Sequence, residues 1–412
     1  MKGLKRTVLL MVFGFFVIGI SSCSLLSNDD GKSYFQSVNN DLESLNQRVQ
    51  IINNDIVLDS LKSKFSSTSS TLGGDKFTHI ANVESPEVNG KKLSATSIEI
   101  RANKVYISYH LNGSEYAGAV DIIDINDEEN PKIISSLISE DTDINALEIE
   151  ENAKILWITG GRDVGSSGYS LQGHGGAILG EKEIEKGVFK TGSGSYREIP
   201  LPSFSGNDIV DFAQDLYVVS GATGGGFYQL NKGNLSITKR VDNNFAKSID
   251  RRQDDVIGLN LLADKRANFT IMDFKSDAIT TFQTPFAVTP VDGKNVLEHT
   301  AAITYVALGN RGVKGYKFST SADTPVYEFN AHGADVANGV TVDGKYVYIA
   351  NGTDGLFITT LPRDGKTEPE EVYSWKSNST NTASANFVKT NGQYIILANG
   401  VDGLNILKIS GS

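Results

Sequence analysis

From about residue 76 to the C-terminus, apolar residues come in short runs rich in β-branched and aromatic types, separated by Gly, Asn and Asp. Runs of this length bounded by turn residues read as strands, and almost no helical spacing is present. Residues 339–358, GVTVDGKYVYIANGTDGLFI, match 387–406, FVKTNGQYIILANGVDGLNI, turn for turn and strand for strand. The same unit recurs five more times, with its strand at Lys104 (KVYISY), Ile155 (ILWITGG), Leu216 (LYVVSG), Val256 (VIGLNL) and Ile303 (ITYVALG). Successive anchors lie about 40 to 60 residues apart, the period of four-stranded propeller blades. The expected fold class is therefore all-β, a seven-bladed β-propeller over residues 76–412.

The closing segment LNILKISGS supplies only a third strand to the last blade. The isolated run at residues 77–83, FTHIANV, precedes the first complete blade and is expected to provide the fourth, pairing the two ends of the chain. Closure of this kind removes open sheet edges.

Upstream of residue 76 the pattern changes. Apolar residues at Phe35, Val38, Leu42, Leu45, Val49, Ile52 and Ile56 alternate in threes and fours, which predicts a short heptad helix within 33–65. A homo-oligomerising coiled coil and a helix packed on its own propeller both fit that spacing. Residues 66–74, SSTSSTLGG, have the composition of a flexible linker.

At the start, Lys2, Lys5 and Arg6 precede an apolar stretch at residues 8–20 that is short for a membrane span, so 1–22 reads as a signal peptide. Ile20-Ser21-Ser22-Cys23 resembles the lipobox of bacterial lipoproteins, which implies cleavage before Cys23 and its lipidation. Cys23 is the chain's only cysteine. Residues 23–75 would then form a lipidated tether, with acyl chains, palmitate among them, contributing roughly 0.8 kcal/mol per buried methylene. Ser27-Asn28-Asp29-Asp30 resembles the acidic export signals of surface lipoproteins of Bacteroidota, and it fits a plain acidic tether equally well. The expected location is the outer membrane, with this segment bearing on display at the cell surface.

The repeats resemble the LVIVD-repeat propellers of bacterial envelope lipoproteins. There a DG or NG turn leads into a YVYVA(D/N)G strand and a short Gly loop, and a later strand ends in IIDVSNPxxP. Asp343-Gly344 to Gly355 and Asn391-Gly392 to Gly403 carry the first part, and Ile122-Ile123-Asp124-Ile125-Asn126 through Pro131 the second. The fourth blade, with VIGLNLLADKR, lacks the Gly pair. The resemblance implies a propeller and an exported location, with no common catalytic site.

Net charge is −11, and no Lys/Arg cluster appears, which argues against nucleic acid or an anionic membrane surface as the main partner and leaves membrane attachment to the anchor. Gly365-Lys366-Thr367 and Gly31-Lys32-Ser33 end like phosphate loops, but Thr360 and Leu26 occupy the position of the first glycine. No nucleophile elbow, no His-Glu-x-x-His and no helical His pair occurs, so no catalytic residue, metal ligand or cofactor is assigned.

In a propeller, the loops entering each innermost strand and those between second and third strands share one face, where a binding site is expected. That face receives Asp143, Asp208 and His332 from entry loops, with Arg162, Asp163, Arg311, Asp354 and Asp402 from the others. Between Ile158 and Ala177 one loop, GGRDVGSSGYSLQGHGG, outgrows its counterparts and adds Tyr169, suited to stacking on a sugar, and His174. The glycines at 160, 161, 352, 355, 400 and 403 read as turn requirements rather than ligand loops. The leading functional expectation is a non-catalytic binding or scaffold module for a protein or glycan partner at the envelope. The alternative is a carbohydrate-active hydrolase or lyase using two rim carboxylates among Asp143, Asp163 and Asp208.

Overall fold

Each of the seven strands singled out above lies second from the axis of a seven-bladed propeller. The computed structural model describes residues 37–61, 67–164, 175–273, 275–290, 293–318, 324–330, 336–363, 365–377 and 383–411. Cys23, Tyr169, His174 and His332 lie outside these residues.

Numbered along the chain, the blades begin on inner strands Ser94–Arg101, Thr142–Ile149, Ser205–Phe212, Ala246–Arg252, Leu297–Thr300, Gly339–Val342 and Phe387–Thr390. Their second strands start at Lys104, Ile155, Asp215, Asp255, Ile303, Tyr346 and Tyr394. These second strands are apolar almost without interruption because both faces of each blade pack on a neighbouring blade. In blade 7, Ile395 and Leu397 enter the core shared with blade 6, while Tyr394, Ile396 and Ala398 enter the core shared with blade 1. Seven buried clusters fill the seven junctions in this way.

Ring closure follows the expected pairing of the two chain ends. Asp75–Val83 pairs antiparallel with Leu404–Ser410, so the N-terminal run is the fourth strand of blade 7.

The segment expected to be a heptad helix is instead a strap around the outside of the ring. Among its described residues only Leu42–Asn46 is helical, its first turn capped by the Asp41 carboxylate, which accepts from the amides of Glu43 and Ser44. Ser37–Asn39 adds a fifth strand to blade 1, Val49–Asp55 adds one to blade 7, and Leu58–Ser60 adds one to blade 6. The 66–74 stretch is no free linker either: Ser67–Ser69 pairs with Leu58–Ser60, and Thr71–Leu72 pairs with Asp75–Val83. The physical reason is edge satisfaction. Each blade's outer strand offers unpaired N–H and C=O groups, and the 37–60 segment bonds to them across the closure point, which an isolated helix would leave open.

Side chains fasten the strap. Asn46 bonds to both backbone groups of Ile133, accepting from its amide at 3.1 Å and donating to its carbonyl at 3.0 Å. Ser135 donates to the Asn40 side-chain oxygen at 2.6 Å, and Arg48 forms a two-pronged ion pair with the buried Asp121.

Candidate functional site

The pairing register identifies one equivalent inner-strand position in every blade. Glu99 opposes Tyr106, Glu148 opposes Trp157, Val210 opposes Tyr217, Asp250 opposes Ile257, Glu298 opposes Tyr305, Thr341 opposes Tyr348 and Lys389 opposes Ile396. Six of these seven side chains are polar, and five carry ionisable groups. Alternation along the inner strand sends their neighbours into the blade junctions and turns this position to the axis. All of them but Thr341 form a girdle around a cavity of about 1130 Å³, lined also by Arg101, Glu150, Asp211, Arg251 and His299. Glu150, Asn152, Gln214 and Arg251 place its opening on the face of the turns between first and second strands.

Three carboxylates near or in this girdle tie one blade to the next. Asp208 accepts from the Ile249 amide at 3.0 Å and the Ser248 hydroxyl at 2.6 Å. Asp250 accepts from the His299 amide at 2.7 Å, and Glu298 from the Val342 amide at 3.0 Å. Lys389 reaches into the lumen and pairs with Glu99 at 3.6 Å and Glu298 at 3.4 Å. Its side chain keeps 29% of its exposure and that of Glu99 20%, exposure to the lumen rather than to the outer surface.

Burial in this narrow space disturbs ionisation. It raises Glu99, with Lys389 pulling the other way, and it raises Glu148 well above the carboxylate range, where the charge of Glu99 adds to the effect. Asp250 is pushed up to about 7 by burial, against the His299 amide and Lys389. Burial pulls Lys389 down, but the surrounding carboxylates, Glu99 first, outweigh it and hold the ammonium above its ordinary value. Carboxyl groups displaced upward by burial and one ammonium thus share the lumen, a lining that favours hydrogen-bonding polar ligands over apolar ones.

On the opposite face the channel is narrowed by Lys294. It enters from the loop leading to blade 5 and donates to the Thr96 carbonyl in blade 1, so its side chain crosses the axis. The ammonium lies 4.6 Å from the centre of the Phe387 ring. Burial lowers its pKa to about 7, with Asp208 opposing. Lys294, His110, Asn145, Asn207, Asn338 and Asn386 surround a shallower cavity of about 310 Å³. Several of these amides stitch blades together: Asn145 donates to the Gly206 carbonyl at 3.0 Å, Asn207 to that of Ala246 at 2.8 Å and Asn338 to that of Ala385 at 3.1 Å.

The expected rim residues are scattered around the ring. Arg162 is a correction: it is only 1% exposed, bonded to Glu198 and, at 3.0 Å, to the Thr142 hydroxyl, inside blade 2. Tyr196 donates to the same glutamate at 2.5 Å, and burial still pushes Glu198 up to about 7. Asp143 accepts from the amides of Leu111 and Ala117, each at 3.2 Å, and burial raises it to about 6. Asp208 faces the channel. Asp163 is half-buried beside the end of its strand, its amide donating to the Asp141 carbonyl at 2.9 Å. Arg311 is exposed and lies over the Phe286 ring at 5.3 Å, Asp354 pairs with Lys376 at 3.4 Å, and Asp402 sits in a short 3₁₀ turn, Gly400–Asp402. Asp143 and Asp208, two of the three proposed acid–base residues, are thus committed to backbone amides.

Glu99, Glu148, Asp250, Glu298 and Lys389 were missed by the sequence reading. Their signal was present as a charged residue directly after an apolar one, near the start of five of the seven repeats: Ile98-Glu99, Leu147-Glu148, Ile249-Asp250, Leu297-Glu298, Val388-Lys389. Among the described residues, no group of three or more His, Cys, Asp or Glu side chains is placed to hold a metal ion.

No protein-family model and no curated protein matches the chain. Solved propellers are similar in fold. The chain superposes on a structure of U3-55K with a TM-score of 0.56 at 8% identity, covering 79% of this chain and 98% of that one. The RRP9 WD40 repeats give 0.54 at 8% identity, with 79% and 98% covered. A catalytically inactive virginiamycin B lyase from Staphylococcus aureus with quinupristin gives 0.55 at 13% identity, with 81% and 99% covered. At these identities the likeness is one of fold.

Proposed function

We propose that this protein is a non-catalytic binding module of the bacterial envelope, of the LVIVD-repeat kind, held at the outer membrane by a lipid on Cys23. Its partner is a glycan or a polar protein segment that enters the axial channel. The observation that carries the reading is the girdle: one equivalent position per blade brings Glu99, Glu148, Asp250, Glu298 and Lys389 around a single cavity of about 1130 Å³. A lining of hydrogen-bond donors and acceptors with few apolar surfaces suits hydroxyls and peptide groups.

The experiment is crosslinking on intact cells producing the lipidated protein, followed by identification of bound proteins and glycans. Cys23→Ala and the double variant Glu148→Gln with Lys389→Met are run in parallel. A partner lost with the double variant but recovered with wild type supports the channel. A partner retained by the double variant removes the channel as its site.

One observation favours the second reading, a carbohydrate-active hydrolase or lyase. Burial raises the pKa of Glu148, with the charge of Glu99 adding to it, which is the direction a proton donor to a glycosidic oxygen requires, and both side chains line the same cavity. Release of new sugar ends from envelope polysaccharide, abolished by Glu148→Gln, would establish it.

A further inference from the structure

We propose that the face opposite the open channel mouth is seated on the lipid bilayer, with Phe204 and Phe245 inserted at its surface. Phe204 is 59% exposed and Phe245 42%; among the described residues these are the large exposed aromatics, and Val164 joins them at 47%. All three belong to one face. Phe204 lies in the loop entering the inner strand of blade 3 and Phe245 in the loop entering that of blade 4. Val164 follows the second strand of blade 2. On this one face the loops entering two neighbouring blades each present an exposed phenylalanine, apolar surface of the kind an interface covers.

The backbone supports a purpose for this arrangement. Phe245 has φ +58°, a conformation that bulky residues rarely adopt, and Ser203, next to Phe204, has φ +80°. Both turns are held in place: the Phe245 amide donates to the Ala222 carbonyl at 3.4 Å and its carbonyl accepts from Leu261 at 3.2 Å, while the Ser203 hydroxyl donates to the Gly221 carbonyl. The two rings are thus carried on turns whose backbone is fixed by hydrogen bonds.

The occupant is identified by where the chain arrives. Ser37, the first described residue, pairs with Ile138, at the end of the blade 1 outer strand that leads into blade 2. That end belongs to the same face and is next to the blades that carry the patch. Thirteen residues separate Ser37 from Cys23, a span of at most about 50 Å fully extended. The chain thus leaves the ring on this face, the side from which an anchor on Cys23 would approach it, and exposed aromatic rings partition to the interface. The inference rests on the anchoring reading above. It also turns the open channel mouth, with Glu150, Glu151 and Arg251, away from the membrane.

The test uses the mature lipidated chain in phosphatidylethanolamine vesicles containing phosphatidylcholine brominated on its acyl chains. Phe204→Trp and Phe245→Trp are compared with Ile279→Trp, which is equally exposed but near the other face. Trp157 and Trp375 are buried and supply a constant background. Blue-shifted emission quenched by the brominated lipid at positions 204 and 245, and not at 279, is the expected result. A palmitate label retained without quenching at 204 and 245 overturns the seated face, leaves anchoring intact, and assigns the patch to a protein partner or to none. Quenching without a label would sink the anchoring and keep the face.

Discussion

Arg48 donates two hydrogen bonds of 2.9 Å, one from each terminal nitrogen, to the two oxygens of Asp121, whose side chain is completely buried in the third strand of blade 1. This fork joins the strap to the body of the ring at the seam between blades 7 and 1, where Arg48 also donates to the Glu84 carbonyl at 3.0 Å. Burial works against the guanidinium charge, but Asp121 more than compensates, and Arg48 is held above its ordinary pKa.

Arg48→Met leaves the Asp121 carboxylate buried without its cation. The expected loss is about 3–5 kcal/mol in urea unfolding, because desolvation of the remaining charge is no longer offset. Adding Asp121→Leu should restore much of it. A single variant as stable as wild type would mean that this ion pair contributes nothing to closure.

Gly160 lies where a side chain has no room: a Cβ there would overlap the Asp143 carbonyl oxygen on the paired inner strand. Gly160→Ala should destabilise by roughly 1–3 kcal/mol, through a forced backbone shift. Thermal unfolding measures this directly, and an unchanged midpoint would show that close approach to the Asp143 carbonyl does not require a glycine here.

Lys294 and Asp250 give opposite pH dependences. The folded lysine titrates near 7 rather than 10.5, so between those values the unfolded chain binds a proton the folded chain lacks, and stability rises with pH. Asp250 titrates near 7 rather than 3.8, so the folded chain holds the extra proton, and stability falls as pH climbs from about 4 to 7. Lys294→Met should gain on wild type by a few kcal/mol at pH 6, and fall behind by ~1 kcal/mol at pH 10, where only the bond to Thr96 is lost. Equal differences at the two pH values in urea titrations refute the assignment.

Asn207 and Asn338 bridge different junctions, blade 3 to 4 and blade 6 to 7. Each change to Ala should cost about 1 kcal/mol, and the double variant about the sum, since the two sites share no partner. A clear excess over the sum would show that the ring transmits strain between distant junctions.

How much of this molecule could be read beforehand depends on how local each feature is. A blade is built from neighbouring segments joined by tight turns, so the apolar second strands, the Asp343-Gly344 and Asn391-Gly392 turns and the count of seven blades are all carried by short-range pattern. The closing strand at 77–83 was legible for a related reason: one blade lacked a strand and one strand lacked a blade. The strap was not. Val38, Leu45, Val49 and Ile56 have the spacing of a helical seam, yet they serve blades 1, 7 and 6 in turn, because unpaired blade edges far away in sequence outcompete local helix formation. Arg162 looked like a loop-end charge until Glu198 and Thr142, contributed by other strands of its blade, enclosed it.

The channel belongs wholly to the tertiary structure. Each Glu or Lys after its apolar neighbour is an ordinary strand residue in isolation. Ring closure alone brings Glu99, Glu148, Asp250, Glu298 and Lys389 to one axis, and it is this convergence in a partly desolvated space that lifts the acids, holds the ammonium and forms a site. The chain's local pattern thus determined the blades and their number. What the ring encloses and which face it closes were decided by long-range pairing, where burial and charge act between residues that no spacing along the chain connects.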